Sequence, residues 1–143
     1  MTENEQYFYS MAKVASKSSW DNKGLYNIDG RWIFCQWFHE TGGFTSELSD
    51  KYHNLGGLTQ EEQNSTPQPD GNGYYMQFNS YEAYADYFGR YLGYYIGNEV
   101  DRSTNLQEYI TALYDGGYFG DSLDNYLSDC QGIYNKYFGE LIG

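Results

Sequence analysis

The chain has 143 residues, 40% of them hydrophobic and 20% aromatic, which is enough for one domain with a core built largely on rings. Eight Lys and Arg residues stand against twenty Asp and Glu, so the formal net charge at pH 7 is -12. This charge argues against a nucleic-acid partner, because phosphate contacts need clustered cations. It also argues against electrostatic attachment to anionic membranes or teichoic acids.

The sequence contains no recognisable membrane span or signal peptide. No apolar run approaches the roughly 18 residues that a spanning helix needs. Residues 1–6 are polar and acidic, whereas a signal peptide begins with cations and continues with an apolar stretch. We therefore expect delivery by another route, such as a phage particle or a secretion system, or by a fused domain in a longer exported protein.

The first half of the chain predicts three helices. Residues 4–18 place apolar side chains at helical spacing, and residues 20–30 form a polar connection that contains glycine. Residues 30–40 are apolar around most of a helix circumference, which predicts the central buried helix. Ser46 is suited to cap a short third helix that runs to Lys51.

The composition changes after the third helix. Residues 59–72 are rich in polar residues and proline and lack a helical period, so they are predicted to form a loop. Residues 74–78 are aromatic and alternate in polarity, which predicts a strand able to pair with residues 55–59. Ser80 is then expected to cap a long helix that reaches about Gly97.

Two further helices complete the chain. One is predicted to begin at Thr104 or Asn105 and to stop at Gly116. The last covers residues 122–138, where apolar side chains recur along one side. Neither a repeat nor a linker interrupts this pattern, so residues 1–143 are predicted to form one mostly helical domain with a small β insertion.

Glu40 is the residue whose position indicates chemistry most directly. It closes the apolar residues 31–39 and is followed at once by Thr41 and two glycines. A carboxyl at the end of a buried helix is poorly solvated, which raises its pKa and lets it hold a proton near neutral pH. A general acid that protonates a leaving-group oxygen needs that property. The alternative is a glutamate that ends a helix and points to water.

The cysteines and histidines do not indicate a metal or cofactor site. Cys35 and Cys130 lie in predicted helices and belong to no Cys-x-x-Cys motif, so we expect buried free thiols, with a disulfide as the alternative. The two His residues lack the spacing of metal ligands. We therefore expect neither a metal ion nor an organic cofactor.

Several motifs occur in a definite order along the chain. Residues 36–48 read Gln-Trp-Phe-His-Glu-Thr-Gly-Gly-Phe-Thr-Ser-Glu-Leu, and residues 52–58 read Tyr-His-Asn-Leu-Gly-Gly-Leu. Residues 78–87 read Phe-Asn-Ser-Tyr-Glu-Ala-Tyr-Ala-Asp-Tyr, and a further match lies in residues 112–126. Together these segments resemble the signature of the glucosaminidases of glycoside hydrolase family 73, over roughly residues 30–138.

The resemblance implies a fold and an activity. The fold would be α+β and mainly α, lysozyme-like, with a small β-hairpin lobe beside the catalytic helix. The activity would be that of an endo-β-N-acetylglucosaminidase, which binds peptidoglycan glycan strands and cleaves them after N-acetylglucosamine. Such an enzyme works outside the cell or in the wall, as a monomer or as part of a larger wall-directed assembly.

The resemblance also implies a second acid in or near the β lobe, in addition to Glu40 as the catalytic acid. Glycosidases commonly use a second carboxylate to activate water or to stabilise the transition state. Glu61, Glu62 and Asp70 are the candidates, and we favour Glu62. A route assisted by the N-acetyl group of the substrate would need no second protein nucleophile.

The family carries a functional tyrosine in the segment that aligns with Tyr118, which is our choice for this role. Tyr126 is the reserve candidate and a candidate substrate contact. Tyr74 and Tyr75, at the lip of the β insertion, are placed to stack on sugar faces. Asn54 either fixes the turn of the β lobe or hydrogen-bonds an acetamido group.

Two other functions remain open from the residues alone. A lytic transglycosylase has the same fold with one catalytic glutamate, and it cuts the other glycosidic bond of the polymer. A non-catalytic sugar-binding domain would retain Glu40 without using it. The products formed from peptidoglycan distinguish these three functions.

Overall fold

The computed structural model describes residues 1–60 and 74–139. Two 3₁₀ segments, Leu92–Asn98 and Val100–Arg102, lie between the fourth and fifth helices. The other elements are, in chain order, α1 (Glu3–Lys23), α2 (Gly30–Thr41), α3 (Glu47–Tyr52), β1 (Thr59–Gln60), β2 (Tyr74–Tyr75), α4 (Tyr81–Tyr91), α5 (Leu106–Asp115) and α6 (Leu123–Phe138). The protein is therefore mainly helical, as its sequence predicted.

Helix α2 is the central buried helix that the apolar pattern predicted. Ile33, Phe34, Cys35 and Trp37 have no exposed surface. The helix packs between α1 on one side and α6 on the other, and α4 packs along α1. Burying α2 on several sides leaves only its ends near the surface, and Glu40 lies at one of these ends.

Aromatic rings make up much of the core, as the composition suggested. The rings of Phe8 and Phe44 stack with their centroids 4.3 Å apart.

Cys35 and Cys130 are free and buried, which confirms the prediction of free thiols. Burial raises the pKa of both thiols, so neither is a reactive thiolate near neutral pH.

Side-chain caps begin the helices where the sequence predicted them. The hydroxyl of Ser80 accepts a hydrogen bond from the backbone of Ala83 at 3.0 Å. Of the two alternatives for α5, Asn105 is the cap, and its Oδ1 accepts from the backbone of Glu108 at 2.9 Å. Ser46 accepts from the backbone of Ser49 at 3.1 Å.

Two helix ends differ from the prediction. Helix α1 continues to Lys23, where Gly24 in the left-handed conformation ends it, rather than stopping at residue 18. Helix α4 stops at Tyr91 instead of reaching Gly97, and the chain continues as a 3₁₀ helix. Gly93 and Gly97 lower the α-helical propensity of that segment, which is the physical reason for the change.

A short antiparallel ladder pairs the segments on either side of the predicted loop. Thr59 lies opposite Tyr75, and Met76 extends the pairing by donating its backbone N–H to Leu58 at 2.8 Å. Residues 61–73 lie outside the described part of the chain. The β-hairpin lobe as a whole therefore stays a prediction.

No helix within residues 1–60 and 74–139 is both long enough and apolar enough to cross a membrane.

Candidate active site

Glu40 lies in the last turn of α2, whose two ends are fixed by their own side chains. Asp29 caps the first turn by accepting a hydrogen bond from the backbone of Arg31 at 2.9 Å. At the other end Thr41 accepts from the backbone of Phe44 at 2.7 Å, and Gly42 ends the helix with φ of 59°. The direction in which Glu40 leaves the helix is therefore well determined.

The carboxyl group of Glu40 has a raised pKa. Desolvation by the surrounding protein is the main cause, and the negative charge of Asp121 adds to it. A hydrogen bond from Tyr126 and the neighbouring His39 act in the opposite direction, but they do not cancel the effect. Although part of the Glu40 side chain is exposed, protein atoms crowd the carboxyl itself, so the proton is held to higher pH than in water.

Tyr126 contacts Glu40 directly. Its hydroxyl donates a hydrogen bond to Oε1 of Glu40 at 2.8 Å. Its ring is 1% exposed, stacked on Phe119 with centroids 3.8 Å apart and planes 10° apart. The ring of His39 meets it edge-on at 4.4 Å. These contacts hold the hydroxyl in place, and they favour a role in orienting Glu40 over the sugar contact that the sequence suggested.

The other carboxyl oxygen of Glu40 faces the loop that follows α3. A Cβ atom built on Gly57 would lie 3.7 Å from Oε2 of Glu40. Helix α2 and this loop therefore lie side by side, and Gly57 is next to the carboxyl oxygen that is not bonded to Tyr126.

Tyr118 also contacts this loop. Its hydroxyl donates a hydrogen bond to the backbone carbonyl of Gly56 at 2.7 Å. A Cβ atom at Gly56 would lie 2.5 Å from the Tyr118 hydroxyl and 2.6 Å from that of Tyr84, so only glycine fits. Burial raises the pKa of Tyr118, which keeps its hydroxyl a neutral donor. These contacts indicate that Tyr118 stabilises the loop.

Asn54 uses both ends of its amide to fix the turn. Its Nδ2 donates to the carbonyls of Leu58 and Met76, each at 2.9 Å. Its Oδ1 accepts from the backbone of Leu58 at 3.1 Å. The side chain is fully buried, so these contacts favour the first of its two predicted roles, which is to hold the turn.

The remaining predicted site residues belong to the β insertion. Tyr75 is half-buried on β2, close to the loop. The side chain of Tyr74 and all of Glu61, Glu62 and Asp70 lie outside the described part of the chain. The second acid therefore stays a prediction.

Sequence reasoning did not assign roles to three neighbours of Glu40. Phe119 stacks on Tyr126, and His39 lies both against that ring and 3.5 Å from Oδ2 of Asp129. The negative charge of Asp121 raises the pKa of the Glu40 carboxyl. The one signal in the sequence for Phe119 and Asp121 was that they lie within three residues of Tyr118, which the resemblance had already selected.

Within residues 1–60 and 74–139, no three His, Cys, Asp or Glu side chains gather in a way that could hold a metal ion.

The chain was compared with known families and solved structures. Its residues 16–138 match the Glucosaminidase family, described as mannosyl-glycoprotein endo-beta-N-acetylglucosaminidase. No curated protein matches it. Its fold is similar to that of the catalytic domain of the autolysin Auto from Listeria monocytogenes, with a TM-score of 0.62 and 16% identity over 96% of this chain and 86% of the other. Because the family match covers most of its length, the protein belongs to the glucosaminidases of glycoside hydrolase family 73 and is a glycosidase.

Proposed function

We propose that the protein is a peptidoglycan hydrolase that acts as an endo-β-N-acetylglucosaminidase on the backbone of N-acetylglucosamine and N-acetylmuramic acid, with Glu40 as general acid. One observation carries the proposal: the desolvated carboxyl of Glu40 is oriented by Tyr126 beside a glycine loop. A carboxyl with a raised pKa that is held in place by a hydrogen bond has the properties that a glycosidase acid requires.

The hydrogen bond from Tyr126 determines which oxygen of Glu40 delivers the proton. Oε1 accepts the tyrosine hydroxyl hydrogen, so the acidic proton resides on Oε2. That oxygen faces Gly57, a residue without a side chain, and it is the oxygen that we assign to the glycosidic bond. Proton transfer from Oε2 to the leaving oxygen breaks the glycosidic bond and leaves Glu40 as a carboxylate that still accepts from Tyr126. Water then bonds to the anomeric carbon, and its proton passes to Glu40 in a retaining route or to the second carboxylate in an inverting route.

The positive charge that develops on the sugar is stabilised by a second group. Glu62 is the proposed residue, because it follows β1 in the chain and the family resemblance implies a second acid in or near the β lobe. The alternative is the N-acetyl group of the substrate, which attacks the anomeric carbon from within the sugar. Only the substrate-assisted route requires the acetamido group of the N-acetylglucosamine at the cleaved bond.

The choice of peptidoglycan is supported by two findings. The family described for residues 16–138 acts on N-acetylglucosamine linkages, and the similar fold is that of an autolysin catalytic domain. The proposed place of action is accordingly the wall or the extracellular space. At a net charge of -12, binding must rest on short-range contacts with the sugars.

Analysis of the cleavage products tests this function. Purified sacculi are digested, the new reducing ends are reduced with borohydride, and the sugars are identified after hydrolysis. We expect new reducing ends on N-acetylglucosamine, and none in a digest with Glu40→Gln. Anhydro-muramic ends would instead identify a lytic transglycosylase, and binding without products would identify a sugar-binding domain.

A further inference from the structure

A row of tyrosine rings runs along α4 and the 3₁₀ helix that follows it. Tyr87 and Tyr91 are one α-helical turn apart, with ring centroids separated by 6.3 Å and planes 22° apart. Tyr94 is three residues further, in 3₁₀ structure where such positions align, and its ring is 5.4 Å from that of Tyr91. The ring of Tyr118 lies 6.1 Å from Tyr91. We call these four residues the tyrosine row.

The tyrosine row packs on the core from one side and is accessible from the other. Tyr94 is 78% exposed, and Tyr87 and Tyr91 are half-buried. The residues of α4 that fill the core are others, Tyr84 and Phe88, which have no exposed surface. Single exposed aromatic residues are common, but a contiguous row of rings is typical of a binding surface.

The tyrosine row is continuous with the candidate active site. At one end Tyr118 donates its hydrogen bond to Gly56, in the loop that lies against the catalytic carboxyl. The next residue, Gly57, is the one whose Cβ position is 3.7 Å from Oε2 of Glu40. A polymer that leaves Glu40 across this loop therefore meets Tyr118 first and then Tyr91.

The chemistry of the tyrosine row fits uncharged sugar rings. Tyrosine is neutral near pH 7, and its ring offers an apolar face for sugar C–H groups. The hydroxyls of Tyr118 and Tyr91 bond to Gly56 and Tyr95, so these two residues would contact sugars through their rings. The nearest charges of α4, Asp86 and Arg90, pair with each other at 3.0 Å. The row thus adds no net charge to a protein that already carries -12.

We propose that the tyrosine row extends the substrate-binding cleft and binds sugars of the glycan strand that are remote from the cleaved bond. The proposal rests on the glucosaminidase function proposed above. Only a long glycan strand would reach the tyrosine row, so catalytic efficiency should increase with the length of the glycan.

The experiment compares a long and a short substrate. The kcat/KM of the enzyme and of Tyr94→Ala and Tyr87→Ala is measured on purified glycan strands and on a wall-derived tetrasaccharide. Tyr26→Ala is the matched control, because Tyr26 is 69% exposed and lies outside the row. Thermal unfolding and sedimentation are recorded for every variant.

We expect Tyr94→Ala and Tyr87→Ala to lower kcat/KM on long strands by about three- to tenfold, the usual contribution of one aromatic contact. Both should stay within about twofold on the tetrasaccharide. An equal loss on both substrates, no loss on long strands, the same loss in Tyr26→Ala, or a changed oligomeric state would overturn the proposal. If the unaltered enzyme cleaves neither substrate, the proposed glucosaminidase function is wrong, and the role proposed for the tyrosine row is wrong with it.

Discussion

The hydroxyl of Tyr126 donates a hydrogen bond to Oε1 of Glu40 at 2.8 Å and so connects α6 to the end of α2. The bond stabilises the ionised carboxylate and lowers its pKa, while burial of the carboxyl raises it. The effect of burial is the larger, so Glu40 loses its proton at a higher pH than a glutamate in water. The opposition between these two effects makes the pH dependence of the enzyme a direct test of the site.

Tyr126→Phe should move the alkaline limb of the kcat/KM profile to higher pH. The general acid must be protonated, so activity is lost as pH rises through the pKa of Glu40, and removal of the hydroxyl raises that pKa further. The optimum rate should also fall by about fivefold, since a hydrogen bond worth about 1 kcal/mol no longer orients the carboxyl. The profile is compared with that of Tyr26→Phe, an exposed tyrosine, and a shift to lower pH would contradict the assignment.

Glu40→Gln should reduce peptidoglycan hydrolysis by about 10²–10⁴-fold or more, because the amide keeps the shape but cannot release a proton to a glycosidic oxygen. Turbidity loss of purified walls measures the effect. Clearing at the rate of the unaltered enzyme would exclude Glu40 as the acid.

Stability provides the control for this variant. A raised pKa in the folded state means that the carboxyl favours folding below its unfolded pKa and loses that contribution as pH rises through the folded pKa. Glu40→Gln should therefore gain free energy of unfolding relative to the unaltered protein between about pH 4 and pH 8. Urea denaturation at both pH values checks the sign of this change.

Of the three candidate second acids, Glu62→Gln should lower turnover steeply, while Glu61→Gln and Asp70→Asn stay within a few-fold of the unaltered enzyme. The three substitutions remove the same charge from one segment, so each serves as a control for the others. Wall hydrolysis under saturating conditions measures turnover. If none of them has a large effect, the substrate-assisted route becomes the better account.

Tyr118→Phe should destabilise the protein by about 1–3 kcal/mol, because the buried carbonyl of Gly56 loses its donor. Activity should fall together with the ordering of the loop beside Glu40. Denaturant unfolding is compared with that of Tyr114→Phe, a change at a tyrosine that is 40% exposed. A large loss of kcat without any loss of stability would instead show that Tyr118 acts on the substrate.

Activity on purified walls should hold steady or rise as ionic strength increases to about 0.15 M, where the Debye length is about 8 Å. The protein carries a net charge of -12, so salt screens repulsion from an anionic polymer and leaves short-range sugar contacts intact. Hydrolysis rates across a series of salt concentrations measure this dependence. A steep fall would mean that cationic contacts dominate binding.

Local features of the fold were predictable from the sequence, and distant contacts were not. The caps Ser80 and Asn105 bond to the backbone three residues further along, so they can be predicted from the local sequence. The early end of α4 was missed, because weak helix formers there compete with an apolar pattern that continues. Glu40 was identifiable from its apolar surroundings and the glycines after it.

The partner of Glu40 was harder to predict. Tyr126 is 86 residues away in the chain, and nothing in its local pattern separates it from the other tyrosines on the same helix. Its role becomes visible only once Phe119 and His39 enclose the ring. Family resemblance selected the region of this contact but named Tyr118 first.

The turn beside the carboxyl of Glu40 is fixed before any substrate arrives. The buried amide of Asn54 bonds to the backbone of Leu58 and Met76, so Gly56 and Gly57, which lie between Asn54 and Leu58, have little conformational freedom left to lose. Ordering a flexible loop around a ligand usually consumes part of the binding free energy. Under the function proposed here, little binding free energy is spent on ordering this loop, and more of it is left to stabilise the transition state.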